Sequence, residues 1–202
     1  MAVLPLRKLG DPVLRTPAAP VGALDARISE LVTAMYETMD AAGGIGLAAP
    51  QIGVGLRIFT YDAMGSRGAV INPELVSVGP IGPTPRDADH PAEEENLLRE
   101  GCLSVGGVYS PVDRAQRVVL TGTAPDGAAL RIAAEGLLAA CFQHETDHLD
   151  GRLFIDRLTG EDRRRAMRTL RETAAPSPPT GVGAGSSFFA APPAAPHSGP
   201  RR

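Results

Sequence analysis

The stretch that most restricts the fold reads Leu137-Leu138-Ala139-Ala140-Cys141-Phe142-Gln143-His144-Glu145-Thr146-Asp147-His148-Leu149-Asp150-Gly151. Its spacing predicts a helix from about Leu137 to Leu149, stopped at Gly151. Six apolar residues open it, so the helix is buried, and a buried helix cannot carry histidines beside a carboxylate unless each finds a partner. His144 and His148 stand four apart, which puts both imidazoles on one face a single turn apart. Two nitrogens so placed can meet one metal ion. Glu145 falls at the edge of that face, where its carboxylate can reach a water on the ion without ligating the ion itself. This is the H-E-x-x-H arrangement. The competing reading, two histidines on a solvated helix, requires a polar segment, and this one is not.

A catalytic metal site takes a third protein ligand and keeps one position open. The chain has two cysteines, too few for a disulfide framework. Cys141 shares the histidine face but lies seven residues from His148, roughly 10 Å along the axis at 1.5 Å per residue, so it reads better as a small core residue. Cys102, in Glu100-Gly101-Cys102-Leu103-Ser104, can approach from outside the helix. It is the better candidate, with a buried strand cysteine as the alternative. Farther upstream, Gly44-Ile45-Gly46-Leu47-Ala48-Ala49-Pro50-Gln51 combines glycines that let backbone come close to a ligand with an amide that can donate to an oxyanion. Alone the signal is weak: such a segment is more often a plain turn, and its glutamine a surface amide.

Around these segments the chain is organised as one domain and a tail. Apolar residues at helical spacing predict a helix over 25–40, stopped by Gly43-Gly44. Short β-type stretches follow at 56–61, 69–72 and 75–78. Residues 79–100, rich in Pro, Asp and Glu, are expected to form a solvated loop. A hairpin is predicted at 117–134 around Pro125-Asp126-Gly127, and a third helix, rich in arginine, at about 161–171. The domain is placed at 1–172. Residues 173–202 hold seven of the nineteen prolines, a composition expected to stay disordered. A net charge of −3 gives no general attraction to nucleic acid or anionic membrane, and specific DNA binding is not expected. No apolar run approaches a membrane span. The first residues lack a secretory apolar core, so a cytoplasmic protein is expected.

Taken in order, G-x-G-L-A-A-x-Q, E-G-C-L-S and Q-H-E-x-D-H-L-x-G resemble the peptide deformylase family. The resemblance covers about residues 1–172. It implies an α+β fold in which small antiparallel sheets surround the motif helix, with a further helix at the C-terminus. It implies a hydrolase that removes the formyl group from N-formylmethionyl nascent polypeptides, with one divalent ion: Fe2+ in the cell, replaceable by Zn2+, Ni2+ or Co2+. By position, Cys102, His144 and His148 look like the metal ligands and Glu145 like the general acid/base. Gln51 and the Leu103 N–H look like the oxyanion donors, and Ile45 and Gly46 like the edge on which substrate backbone lies. Leu137, Ala140, Cys141 and His144 match the methionine side-chain pocket, and Glu100 and Arg114 a supporting pair. Arg164, Arg168 and Arg171 share one face of a C-terminal helix that in bacterial deformylases resembles a ribosome-docking element. One departure stands out: Gly106-Gly107 follow where the family usually has proline, which is expected to loosen the turn bearing Leu103. A zinc metallopeptidase sharing H-E-x-x-H, with a ligand drawn from Asp150, Asp156, Glu161 or Asp162, a structural zinc protein closed by His90 or His197, and a catalytically silent relative are the competing readings.

Overall fold

The computed structural model describes residues 3–86 and 96–174. Of the tail expected to be disordered, residues 173 and 174 are described and belong to a helix, whereas 175–202 and the spare histidines His90 and His197 lie outside the described residues. Helix α1 (Ala26–Ala41) starts where expected because Asp25 accepts a hydrogen bond from the Ile28 N–H at 3.2 Å, satisfying one of the free donors of the first turn. Its inner face buries Val32, Met35 and Met39. Gly43 adopts φ +65° and turns the chain out of the helix.

Nine strands follow among the described residues: β1 (Gly46–Ala48), β2 (Ile58–Ala63), β3 (Ser66–Ser77), β4 (Ile81–Pro83), β5 (Arg99–Cys102), β6 (Val105–Pro111), β7 (Asp113–Ala115), β8 (Arg117–Thr123) and β9 (Ala129–Glu135). They form an antiparallel sheet of order β1-β2-β3-β8-β9 and two antiparallel pairs, β4-β7 and β5-β6. The two stretches expected at 69–72 and 75–78 are one strand. Pro73 has no N–H to donate, so the ladder with β8 shifts register between Ile71 and Glu74 and then resumes. The β8–β9 hairpin forms as expected, its turn closed by the Ala128 N–H on Asp126 Oδ1 at 2.9 Å and by Gly127 at φ +89°. The loop expected across 79–100 needs correction. It contains β4 and the start of β5, each paired with a strand that lies later in the chain.

Helix α2 (Gly136–Leu149) is enclosed by β1, β2, β3, β7, β8 and β9. Phe142 packs against Phe59 and, edge to face, against Tyr61, with ring centroids 5.8 and 4.9 Å apart. Truncating an aromatic at such a position costs about 3–5 kcal/mol. Helix α3 (Gly160–Ala174) runs two residues past the expected boundary and lies over β6. It contributes Ala166 and Leu170 to a second core with Val105, Val108, Val112, Leu153 and Phe154. The architecture is α+β, small antiparallel sheets around one central helix.

Candidate metal centre

Three elements bring the predicted residues together. From α2 come His144, Glu145 and His148, from the end of β5 Cys102, and from the 3-10 turn Ala49–Ile52 Gln51. All five are buried. Cys102 Sγ lies 3.2 Å from His148 Nε2, and the donor atoms of Cys102, His144 and His148 fall within 4.8 Å of one another. Metal–sulfur and metal–nitrogen bonds of about 2.0–2.3 Å to a single ion span such a set. Burial pushes the Cys102 thiol up to about 12, so a thiolate there calls for a cation beside it. Burial, reinforced by the charge of His144, holds His148 well below its usual pKa, which keeps the ring neutral with a lone pair to offer. Among the described residues no other group of His, Cys, Asp and Glu is so placed. The donors fit a divalent transition ion.

Glu145 stands next to this group. Both its carboxylate oxygens are buried and make no hydrogen bond with the described protein groups. Burial, then the nearby negative Glu100, raises its pKa well above the carboxylate range, so it holds a proton far more readily than an exposed glutamate. Glycine at position 46 makes room for it, since a Cβ there would meet Glu145 Oε1 at 2.4 Å and Cys141 Sγ at 3.0 Å. Cys141, fully buried, is not in the donor group, and its Sγ lies 3.5 Å from the carbonyl oxygen of Ile45. Leu137, Ala140, Cys141 and His144 follow at i, i+3, i+4 and i+7 on α2, one helix face.

Gln51 is fixed by its oxygen. The Ala48 N–H donates to Oε1 at 2.7 Å, which turns Nε2 toward Cys102 Sγ at 3.7 Å and Ser104 Oγ at 3.5 Å. Leu103 occupies the two-residue turn between β5 and β6, where Cys102 pairs with Val105. Gly106 and Gly107 lie past that turn, in an irregular stretch of β6 where Gly107 takes φ +78° beneath Thr173 of α3. The Leu103 carbonyl accepts from Lys8 Nζ and the Ser104 carbonyl from the Leu9 N–H, both at 2.9 Å.

Behind the histidines lies a chain of buried charge. Glu100 Oε2 is 2.8 Å from His144 Nδ1, and Arg114 grips both Glu100 oxygens at 2.7 and 2.8 Å. Burial raises Glu100, but the charge and hydrogen bonds of Arg114, joined by His144, outweigh it and leave the carboxyl at about 2. With Nδ1 so engaged, His144 presents Nε2 to the donor group. Arg114 continues to Asp147 at 2.6 Å, and Asp147 to Arg157 through two bonds of 2.6 Å. Asp147 and Arg157 were missed from the sequence. The signal available was an aspartate inside a helix that has to be buried.

The ligand options of a metallopeptidase lie elsewhere: Asp150 pairs with Arg57, Asp156 with Arg15 and Glu161 with Arg164, and neither they nor Asp162 belong to the donor group. The family model described as polypeptide deformylase matches residues 3–164. This chain belongs to the polypeptide deformylase family. It is 48% identical over 172 residues to the peptide deformylase of Acidothermus cellulolyticus, covering 85% of this chain and 88% of that one. With that of Mycolicibacterium paratuberculosis the identity is 46% over 179 residues, covering 85% and 89%. Among solved structures, a peptide deformylase from Legionella pneumophila superposes with a TM-score of 0.74 at 38% identity, over 85% of this chain and 95% of the other. One from Synechococcus elongatus in complex with actinonin gives 0.73 at 36% identity, over 84% and 85%. Members of this family are metal-dependent hydrolases, and no described helix is long and apolar enough to cross a membrane.

Proposed function

We propose that this chain hydrolyses the N-formyl group from the terminal formylmethionine of newly made polypeptides and releases formate. The observation that carries the reading is a buried carboxylate, Glu145, without a hydrogen-bond partner among the described residues and set beside a Cys-His-His donor group. Cys102, His144 and His148 are the proposed ligands, and Fe2+ the expected ion in the cell, with Zn2+, Ni2+ or Co2+ able to replace it. When bound, the ion supplies Lewis acidity, acidifying a water and polarising a carbonyl. Glu145 takes the proton from the attacking water and returns it to the departing amine, one carboxylate serving both transfers. As the formyl carbon becomes tetrahedral its oxygen gains negative charge, and the Gln51 amide and the Leu103 N–H donate to it.

The substrate backbone lies along β1. Among the described residues that strand pairs only with β2 and is the edge of its sheet, so an extended peptide can add to it past Ile45 and Gly46. Leu137, Ala140 and Cys141 line the side of α2 that receives the methionine side chain. Nascent chains as substrate put the protein in the cytoplasm. The catalytic domain ends at about residue 172, and 173–202 takes no part in turnover. Docking to the ribosome is a further reading for α3, whose exposed Arg164, Arg168 and Arg171 face away from the buried Ala166. Replacing the three by alanine is expected to weaken ribosome co-sedimentation, and added salt to abolish it. Binding that ignores both removes this reading.

The test of the main proposal is Glu145→Gln, which keeps the shape and removes the base. Metal content, measured by elemental analysis, should persist while formate release from a formyl-Met-Ala-Ser peptide falls by about 10³–10⁴-fold. If the variant loses its metal, Glu145 is a ligand; if it keeps full turnover, another group moves the protons. Either result overturns the mechanism.

A further inference from the structure

The two proposed oxyanion donors come from separate parts of the chain, Gln51 from the turn after β1 and Leu103 from the β5–β6 turn. Their spacing decides whether both can reach one oxygen. A single stretch of three residues touches both. The Arg7 N–H donates to the Gln51 carbonyl at 2.7 Å, Lys8 Nζ to the Leu103 carbonyl at 2.9 Å and the Leu9 N–H to the Ser104 carbonyl at 2.9 Å. The Arg7 side chain also lies over Gly53, at the end of the Gln51 turn, where a Cβ would meet its Nε at 2.7 Å.

From this geometry we infer that residues 7–9 act as a strap that sets the distance between the two oxyanion donors, with Lys8 as its positioning residue. The inference rests on the oxyanion roles of Gln51 and Leu103 given above. Two steps of extended chain span at most about 7 Å, so the strap is a short ruler between the two turns. Its grip on the Leu103 turn is complete: β5–β6 pairing holds Cys102 and Val105, and the strap holds the carbonyls of Leu103 and Ser104. The Leu103 N–H therefore sits between peptide planes that are each tied down. Of the three bonds only that of Lys8 comes from a side chain, and its ammonium makes it charge-assisted. Lys8 itself is exposed, so the bond is not a by-product of core packing.

Because an oxyanion donor acts only as charge develops in the transition state, misplacing it lowers kcat and leaves ground-state binding alone. Lys8→Met keeps most of the stem and removes the donor. It should lower kcat for the formyl-Met-Ala-Ser peptide on the order of tenfold, less than the roughly 10²–10³-fold of deleting an oxyanion donor outright. KM, metal content and Tm should hold, and Lys8→Arg should recover most of the rate. Unchanged kcat in Lys8→Met overturns the strap. So does a rate loss matched by loss of metal or Tm, or an arginine variant as slow as the methionine one. Gln51→Ala, measured alongside, separates the two readings. Full activity there removes the oxyanion assignment itself, whereas a slow Gln51→Ala beside a fast Lys8→Met removes only the strap.

Discussion

At the scale of single residues, Cys102 and Cys141 are the same side chain, both buried, in different geometric positions. Burial raises both thiols, so neither is distinguished by acidity. What separates them is direction, since Cys102 reaches His148 from a different element while Cys141 is tied to its own helix axis. Cys102→Ala is expected to weaken metal binding at least about 100-fold, beyond the effect typical of removing an outer hydrogen-bond partner. Cys141→Ala should keep its metal and lose roughly 1 kcal/mol of stability, the scale of one buried heavy atom. Metal titration of the two variants checks this, and equal losses would remove Cys102 from the ligand set.

Between elements, the approach of β1 to α2 is the contact on which the site depends. Gly46 lets the strand backbone lie against Glu145 and Cys141, and the same strand is the proposed seat of the substrate. Gly46→Ala cannot be absorbed there without moving the carboxylate or the strand. Overpacking of this kind costs about 1–3 kcal/mol, and turnover should fall on the order of 10²-fold because displacements near 1 Å already cost that much. The check is a Tm and a kcat on one preparation. A variant as active as the parent would mean that β1 and Glu145 are farther apart in solution than the structure places them.

Over the whole molecule, every buried apolar side chain among the described residues lies between Leu14 and Ala166, and the family match ends at 164. The core of the described residues therefore closes upstream of residue 176. Deletion of residues 176–202 should leave Tm within about 1 °C and kcat/KM unchanged, as expected for a segment outside the cooperative unit. A clear fall in either would show that the segment contributes to the domain, with Phe188 and Phe189 its only large apolar side chains.

What could be read from the sequence was what short-range geometry controls. The spacing of His144 and His148, the exclusion of Cys141 as a partner for both, the extent of α1 and the Asp126-Gly127 turn all follow from backbone dimensions within a few residues. The ordered motifs added Cys102 and Gln51, because the resemblance supplied the long-range pairing that spacing alone left open. Tertiary structure alone decided the rest. Strands β4 and β5 lie in a stretch that reads as loop, since their pairing partners come later in the chain and neither segment has a hydrophobic alternation of its own. Asp147 and Arg157 join the Glu100–Arg114 pair only once α2 is enclosed. Lys8 reaches Leu103 across a separation of 95 residues. A local pattern reports which face of an element is buried. Which distant groups meet there is decided by the packing of all the elements at once, and no window of the sequence contains it.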